Sequence, residues 1–371
     1  MINKDRLIDE FCSLVSIDAL PYREREMGDR LKSYLIELGF EVTEDTAGEY
    51  YKGNCGNIYG YLKGTMEGDP ILFTAHMDTV EPGLGKKAIV HEDGRITSDG
   101  TTVLGADDLS GVVAILEAVR TLKENGLPYR SIEVLFTIAE EVYIRGSEVF
   151  DYHQVKAKEA YVLDLDGPVG TAAIKAPTLV SFTAQITGKA AHAGFAPEQG
   201  IHAISVAAQA ITKIRQGRID SDTTVNIGTI EGGKARNIVP EVCILQGEVR
   251  SLSHDKAVAV GEEIRQVFEE TANNHAALLE FTTSFGCIAY EVLSEHPVIK
   301  RFEKICSKLD YKTNLIHTFG GSDNNNFLKN GITGIVLSCG MNQVHSLKEY
   351  TMVSELVKCT RIVLELMTSK E

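Results

Sequence analysis

The chain has 371 residues, 43% hydrophobic and 24% charged, an ordinary globular composition and a length too great for one hydrophobic core. Thirty-seven Lys and Arg against 52 Asp and Glu give a formal charge of −15 and a pI near 5.2, a field that repels polyanions and excludes nucleic acid as a partner. No apolar run approaches the roughly 20 residues that span a bilayer, which excludes a membrane protein. The start MINKDRLIDEF carries no secretion-signal core, and seven scattered cysteines without a C-x-x-C pair fit reduced thiols in a cytoplasmic protein.

In chain order, periodicity predicts helices over Lys4–Val15 and Tyr22–Leu38, then strands at Glu41–Thr43, Ile58–Leu62 and Ile71–Ala75. Glu92-Asp93-Gly94-Arg95 reads as the turn of a hairpin between 88–91 and 96–98. Leu109–Leu122 sets Val112, Ile115, Leu116 and Val119 on one helical face, and strands follow at Ser131–Thr137 and Glu159–Leu165. This alternation predicts an α/β unit with a mostly parallel, covered sheet.

The texture changes after Pro177. Strand Leu179–Thr187, helix Gly200–Gln216, strands Val225–Ile230 and Cys243–Val249, helix Asp255–Asn274 and strand Leu278–Thr283 follow one another. That order, β-α-β-β-α-β, is the ferredoxin-like α+β unit. From Ala289 the α/β pattern resumes, with helix Pro297–Leu309, a short helix Asn324–Lys329, strand Ile332–Leu337 and helix Met352–Met367. The expected organisation is a catalytic domain over 1–176 and 289–371 interrupted by an inserted domain over 177–288.

Three of the apolar strands run into side chains of metal-ligand type: Ile71–Ala75 into His76-Met77-Asp78, Val103–Ala106 into Asp107-Asp108, and Ile132–Thr137 into Glu140-Glu141. Crowded carboxylates are costly unless a cation lies among them, and open α/β sheets collect ligands beyond the carboxyl ends of their strands. A fourth strand ends in Asp164-Leu165-Asp166, and His345 follows the strand Ile335–Leu337. One His, further carboxylates and a second His suit two ions sharing a carboxylate. There is no H-E-x-x-H, G-x-S-x-G or P-loop, so serine-hydrolase and nucleotide chemistries have no foothold.

In order, HMDTV, LGADDLSG, TIAEEV, YVLDLDG and His345 resemble the motifs of the co-catalytic dizinc metallopeptidases. The resemblance spans nearly the whole chain and is nearest to the peptidase T-like tripeptide aminopeptidases. It implies the zinc-exopeptidase α/β/α fold with an inserted ferredoxin-like lid that can support a homodimer. It also implies His76, Asp107, Glu141, Asp164 and His345 as ligands of two divalent ions, with zinc, cobalt or manganese suiting the shell. Asp107 is the implied bridge, Asp108 being its alternative, and Asp166 is the alternative to Asp164. Asp78 is implied to fix the ring of His76, and Glu140 to be the general base toward a water held between the ions. In the lid, His192 is implied to donate to the oxyanion, and Asn237 and Arg250 to grip the substrate's carboxylate. Gly320-Gly321-Ser322-Asp323 is expected to line the cleft. The implied activity is removal of residues from short peptides. Release of an acyl group from an N-acyl amino acid, or peptide binding without cleavage, are the other readings.

Overall fold

The computed structural model describes residues 2–370. Two compact units divide the chain. One runs to Lys175 and resumes over Glu291–Thr318 and from Ser322; the other comprises Ala176–Tyr290 together with Phe319–Gly321.

Among the described residues, nine strands form the sheet of the first unit. Its centre is four parallel strands in the order Ile132–Thr137, Ile71–His76, Glu159–Leu165 and Thr333–Ser338. Antiparallel strands flank them, Ile58–Leu62 and Glu41–Glu44 on one side and Thr171–Ala176 on the other. Ile71–His76 and Ile132–Thr137 are buried at every position, which is why they are mostly apolar without period-two alternation, Glu133 being buried as an acceptor of the Lys156 and Ala157 amides. Helices Lys4–Val15, Ala106–Glu124 and Val353–Thr368 pack against one another and, through Ala106–Glu124, on the sheet. Phe150 and Phe327 pack with Leu72, Leu135, Val162 and Val336 in a separate core cluster. Ile71 pairs with Ile132 and His76 with Thr137, so the His76 and Glu140 strand ends leave the sheet at one level. A small sheet joins Met341–Asn342, Tyr350–Met352, Arg95–Thr97 and Ile89–Val90, holding both the expected 92–95 hairpin and the loop that carries His345.

The second unit has five antiparallel strands in the order Gly217–Asp220, Thr223–Gly232, Val242–Ser251, Thr178–Thr187 and Leu278–Cys287. Thr178–Thr187 alternates buried and half-buried positions beyond Val180, as expected of a sheet covered on one face. Val180, Phe182 and Ile186 meet Ala207, Ile264 and Phe268 of helices Ala203–Ile211 and His254–Asn274 in one core. This is the ferredoxin-like order with one further edge strand. The helix expected over 200–216 stops at Ile211, and Gly217 at φ 78° turns the chain into that extra strand.

Three strands of the first sheet were not foreseen: Tyr290–Glu291, and Thr171–Ala176 and Asn314–His317, which pair in parallel with each other. The latter two, TAAIKA and NLIH, are short and show little period-two contrast. Phe319–Gly321 goes with the second unit because Arg218 stacks on the Phe319 ring at 4.2 Å and Arg250 Nη1 donates to its carbonyl at 3.0 Å. Among the described residues no helix is long and apolar enough to cross a membrane.

Candidate metal centre

His76 ends its strand almost fully buried, and its Nδ1 donates to the Asp78 carbonyl at 2.9 Å. A carbonyl only accepts, so this contact leaves Nε2 as the ring atom that faces the site. There Nε2 lies 3.1 Å from Asp107 Oδ1 and 3.7 Å from Asp164 Oδ1. The other oxygen of Asp107 lies 3.2 Å from His345 Nε2, which is also 2.9 Å from Glu141 Oε2. Asp107 thus gives one oxygen to each of two donor groups.

The backbone explains how neighbouring residues separate. The helix begins at Ala106, earlier than the expected Leu109, but Asp107 and Asp108 depart from helical angles and their mutual peptide is cis. Asp108 is turned inward. Its Oδ2 accepts the His76 amide and its Oδ1 the Gly111 amide, both at 3.2 Å, and the Cys339 thiol approaches Oδ1 at 3.6 Å. Asp166 is exposed, whereas Asp164 faces His76. His345 sits in a left-handed backbone position, φ 58°, between the strands Met341–Asn342 and Tyr350–Met352.

Asp78 serves the site by a different atom from the one expected. Its carbonyl orients His76, while its carboxylate, 3.6 Å from Nδ1, accepts the amides of Glu140 at 3.0 Å and Glu141 at 3.1 Å. Glu140 places a carboxylate oxygen within 4.8 Å of donor atoms of His76 and Asp164. Two further carboxylates stand near this cluster, Glu349, which no motif reveals, and Asp323 of the expected cleft lining. Glu349 accepts the amides of Leu104, Gly105 and Asp107, fixing the backbone that leads to Asp107. Asp323 accepts from Thr137 Oγ1 at 2.6 Å and Ser147 Oγ at 2.5 Å.

Charges in this cluster oppose one another. Burial works against the ionised form of Asp107, yet hydrogen bonds from His345 and His76 outweigh it and hold the carboxyl well below its usual range. Burial and the charge of Glu140 push Asp164 well up, and burial, reinforced by Asp323 and Glu141, does the same to Glu140. Hydrogen bonds to Asp107 and Glu141 raise His345 to about 10. The donor set fits metal. His76, Asp107 and Glu141 present ligand atoms within 4.8 Å of one another, and Glu141 Oε1 is buried with no hydrogen-bond partner.

In the second unit, His192 Nδ1 accepts the amides of Gly194 and Phe195, both at 3.2 Å, which puts the ring hydrogen on Nε2. The Asn237 carbonyl accepts the Ala193 amide, so these two expected residues lie on paired segments. Arg250 is engaged by Glu248, Nε to Oε1 at 2.7 Å.

Residues 175–276 match the peptidase dimerisation domain of the M20 peptidases, and residues 83–178 match the M42 glutamyl aminopeptidase model. The protein YqjE of Bacillus subtilis is 39% identical over 98% of both chains. The crystal structure of a tripeptidase from Staphylococcus aureus superposes with a TM-score of 0.96 at 34% identity, covering 99% of this chain and 98% of that one. The chain belongs to the M20 peptidase family. Aminopeptidase PepT from Bacillus cereus is a further full-length match, with 38% identity, TM-score 0.91 and coverage of 99% and 98%. This M20 peptidase is accordingly a metal-dependent hydrolase of the peptidase T type, with the catalytic α/β sheet and the ferredoxin-like insertion that its sequence patterns predict.

Proposed function

We propose that the protein is an aminopeptidase acting on tripeptides and other short peptides through two divalent ions, zinc being the ion assigned. The observation that carries this reading is Asp107, whose two oxygens face separate donor groups, His76 with Asp164 and Glu141 with His345. The full-length likeness to a tripeptidase and to an aminopeptidase supports the substrate class. Bound ions supply Lewis acidity that polarises a scissile carbonyl and acidifies a water.

The chain's own residues do the rest. Asp78 and Glu349 hold the backbone of the donors in place through buried amide contacts. Glu140, whose carboxylate lies beside His76 and Asp164, takes a proton from the attacking water and returns it to the departing amine. His192 presents Nε2–H to the developing oxyanion. Asn237 and Arg250 are assigned to the substrate's carboxylate, a task the guanidinium fork suits. The seven cysteines are all free, six of them buried, which supports a cytoplasmic setting. The match to a dimerisation domain supports a homodimer.

Metal-loaded protein offered tripeptides, dipeptides and N-acyl amino acids tests the reading. It predicts release of N-terminal residues from tripeptides, abolished by chelation. Cleavage of the N-acyl compounds alone makes the protein a deacylase, and turnover that survives chelation removes metal chemistry altogether.

A further inference from the structure

The loop Ile138–Gly146 bears Glu140 and Glu141 near its start, and its backbone takes a shape that side chains disfavour. Ala139 (φ 50°), Tyr143 (76°) and Ile144 (59°) are all left-handed, the β-branched Ile144 being an outlier by type. The turn at Ala139 takes the chain out of the extended strand. Adjacent carboxylates that would alternate across the sheet are thereby both brought to the donor cluster.

Backbone pairing closes the loop through its carbonyls. Gly146 N donates to Ile138 O and Arg145 N to Ala139 O, each at 3.0 Å, and Ile144 N donates to Glu140 O at 2.7 Å. At the start of the loop, the amides of residues 138–141 are each taken by a side chain. Ile138 N donates to Asn57 Oδ1, Ala139 N to Glu24 Oε1 and Glu140 N to Asp78 Oδ1, all at 3.0 Å; Glu141 N donates to Asp78 Oδ2 at 3.1 Å. Asn57, Glu24 and Asp78 are each fully buried. Asn57 Nδ2 also donates to Gly146 O at 2.9 Å and to Asp45 Oδ2 at 2.7 Å, so one side-chain amide ties both ends of the loop. The Glu24 oxygen that accepts Ala139 also accepts Tyr22 N at 2.8 Å, and Tyr22 is itself left-handed at φ 67°.

We propose that Glu24 and Asn57 are positioning residues for Glu140 and Glu141, holding the left-handed turn that aims both carboxylates. This rests on the assignment of Glu140 as base and Glu141 as ligand. Buried acceptors that over-determine a strained turn are how such a conformation persists at a working site. Glu24 acts through a carboxyl oxygen placed to meet the Ala139 amide, so its reach decides the positioning.

The test uses metal-loaded enzyme with a tripeptide substrate, reading kcat, KM and thermal melting for three Glu24 variants. Loss of the contact in Glu24→Ala lowers kcat about 10- to 100-fold, the scale of an ångström-level misplacement, with KM held within about twofold because substrate contacts are untouched. Glu24→Gln keeps an oxygen at the same reach and recovers most of the loss, while Glu24→Asp falls one methylene short and behaves like the alanine variant. Asn57→Ala lowers kcat as well, and the double variant loses less than the product of the two, since both hold one loop. If Glu24→Ala does not fold, the Gln and Asp variants decide the matter alone. Wild-type kcat in folded Glu24→Ala or Glu24→Asp, or a Gln variant as slow as the Asp variant, overturns the inference. Glu140→Gln, measured alongside, separates the two ideas. Full turnover in it defeats the assigned function, whereas an inactive Glu140→Gln beside a fully active Glu24→Ala defeats only the positioning role.

Discussion

At the scale of residues, adjacent carboxylates are told apart by where the backbone sends them. Asp107 faces two donor groups while Asp108 spends both oxygens on the amides of His76 and Gly111. Glu140 and Glu141 share the amide grip of Asp78 yet serve as base and ligand in the proposed chemistry. Replacing Glu140 by Gln is expected to cut kcat roughly 10²–10⁴-fold with the metal content unchanged, checked by kinetics beside elemental analysis. Glu24 gives a second prediction. Burial, reinforced by the charge of Asp78, raises its carboxyl to about 7. A raised acid favours the fold fully below the unfolded value near 4.5 and loses that contribution as pH rises through 7. Of order 3 kcal/mol is at stake. Unfolding of metal-free wild type against Glu24→Gln should show the wild type losing relative stability between pH 5 and pH 8, and a pH-independent difference contradicts this.

At the scale of elements, the strands leading to His76, Glu140 and Asp164 were legible, the expected strand Val103–Ala106 proved to be the approach to the helix Ala106–Glu124, and the contacts that aim these side chains were not legible. Ile71–His76 and Ile132–Thr137 announce themselves because burial on both faces leaves a mostly apolar run before His76 and before Glu140. Glu349, Glu24 and Asn57 announce nothing. Each works by accepting backbone amides from residues far along the chain, Leu104 from Glu349 and Ala139 from Glu24, and no spacing encodes such a pairing. The same limit hid the role of Asp78, whose carbonyl rather than carboxylate orients His76. Gly111 is a further silent requirement. A Cβ there would lie 2.6 Å from both Leu163 O and Asp108 Oδ1, so the helix Ala106–Glu124 meets the Asp164 strand only with glycine at the crossing. Gly111→Ala is expected to destabilise the protein by about 1–3 kcal/mol, a typical overpacking cost, and to weaken metal binding by displacing Asp164. Chemical denaturation together with metal titration checks both effects.

At the scale of the whole molecule, the two patterns read from the sequence, a parallel α/β sheet and a ferredoxin-like insertion, correspond to two units, each with its own buried core. The match of residues 175–276 to a dimerisation domain predicts a dimer in light scattering, lost on deletion of that unit. The centre itself is a crowd of buried acids and two histidines, so metal is expected to hold the fold as well as the chemistry. Free ion at 100 times its dissociation constant adds about 2.7 kcal/mol, and chelation should lower the melting temperature reversibly. The most direct measurement is anomalous diffraction from crystals of the metal-loaded protein. The account predicts two peaks about 3.5–4 Å apart, one bounded by His76 and Asp164, the other by Glu141 and His345, with Asp107 between them. A single peak, or a second ion held by Asp108 in place of Asp107, contradicts it.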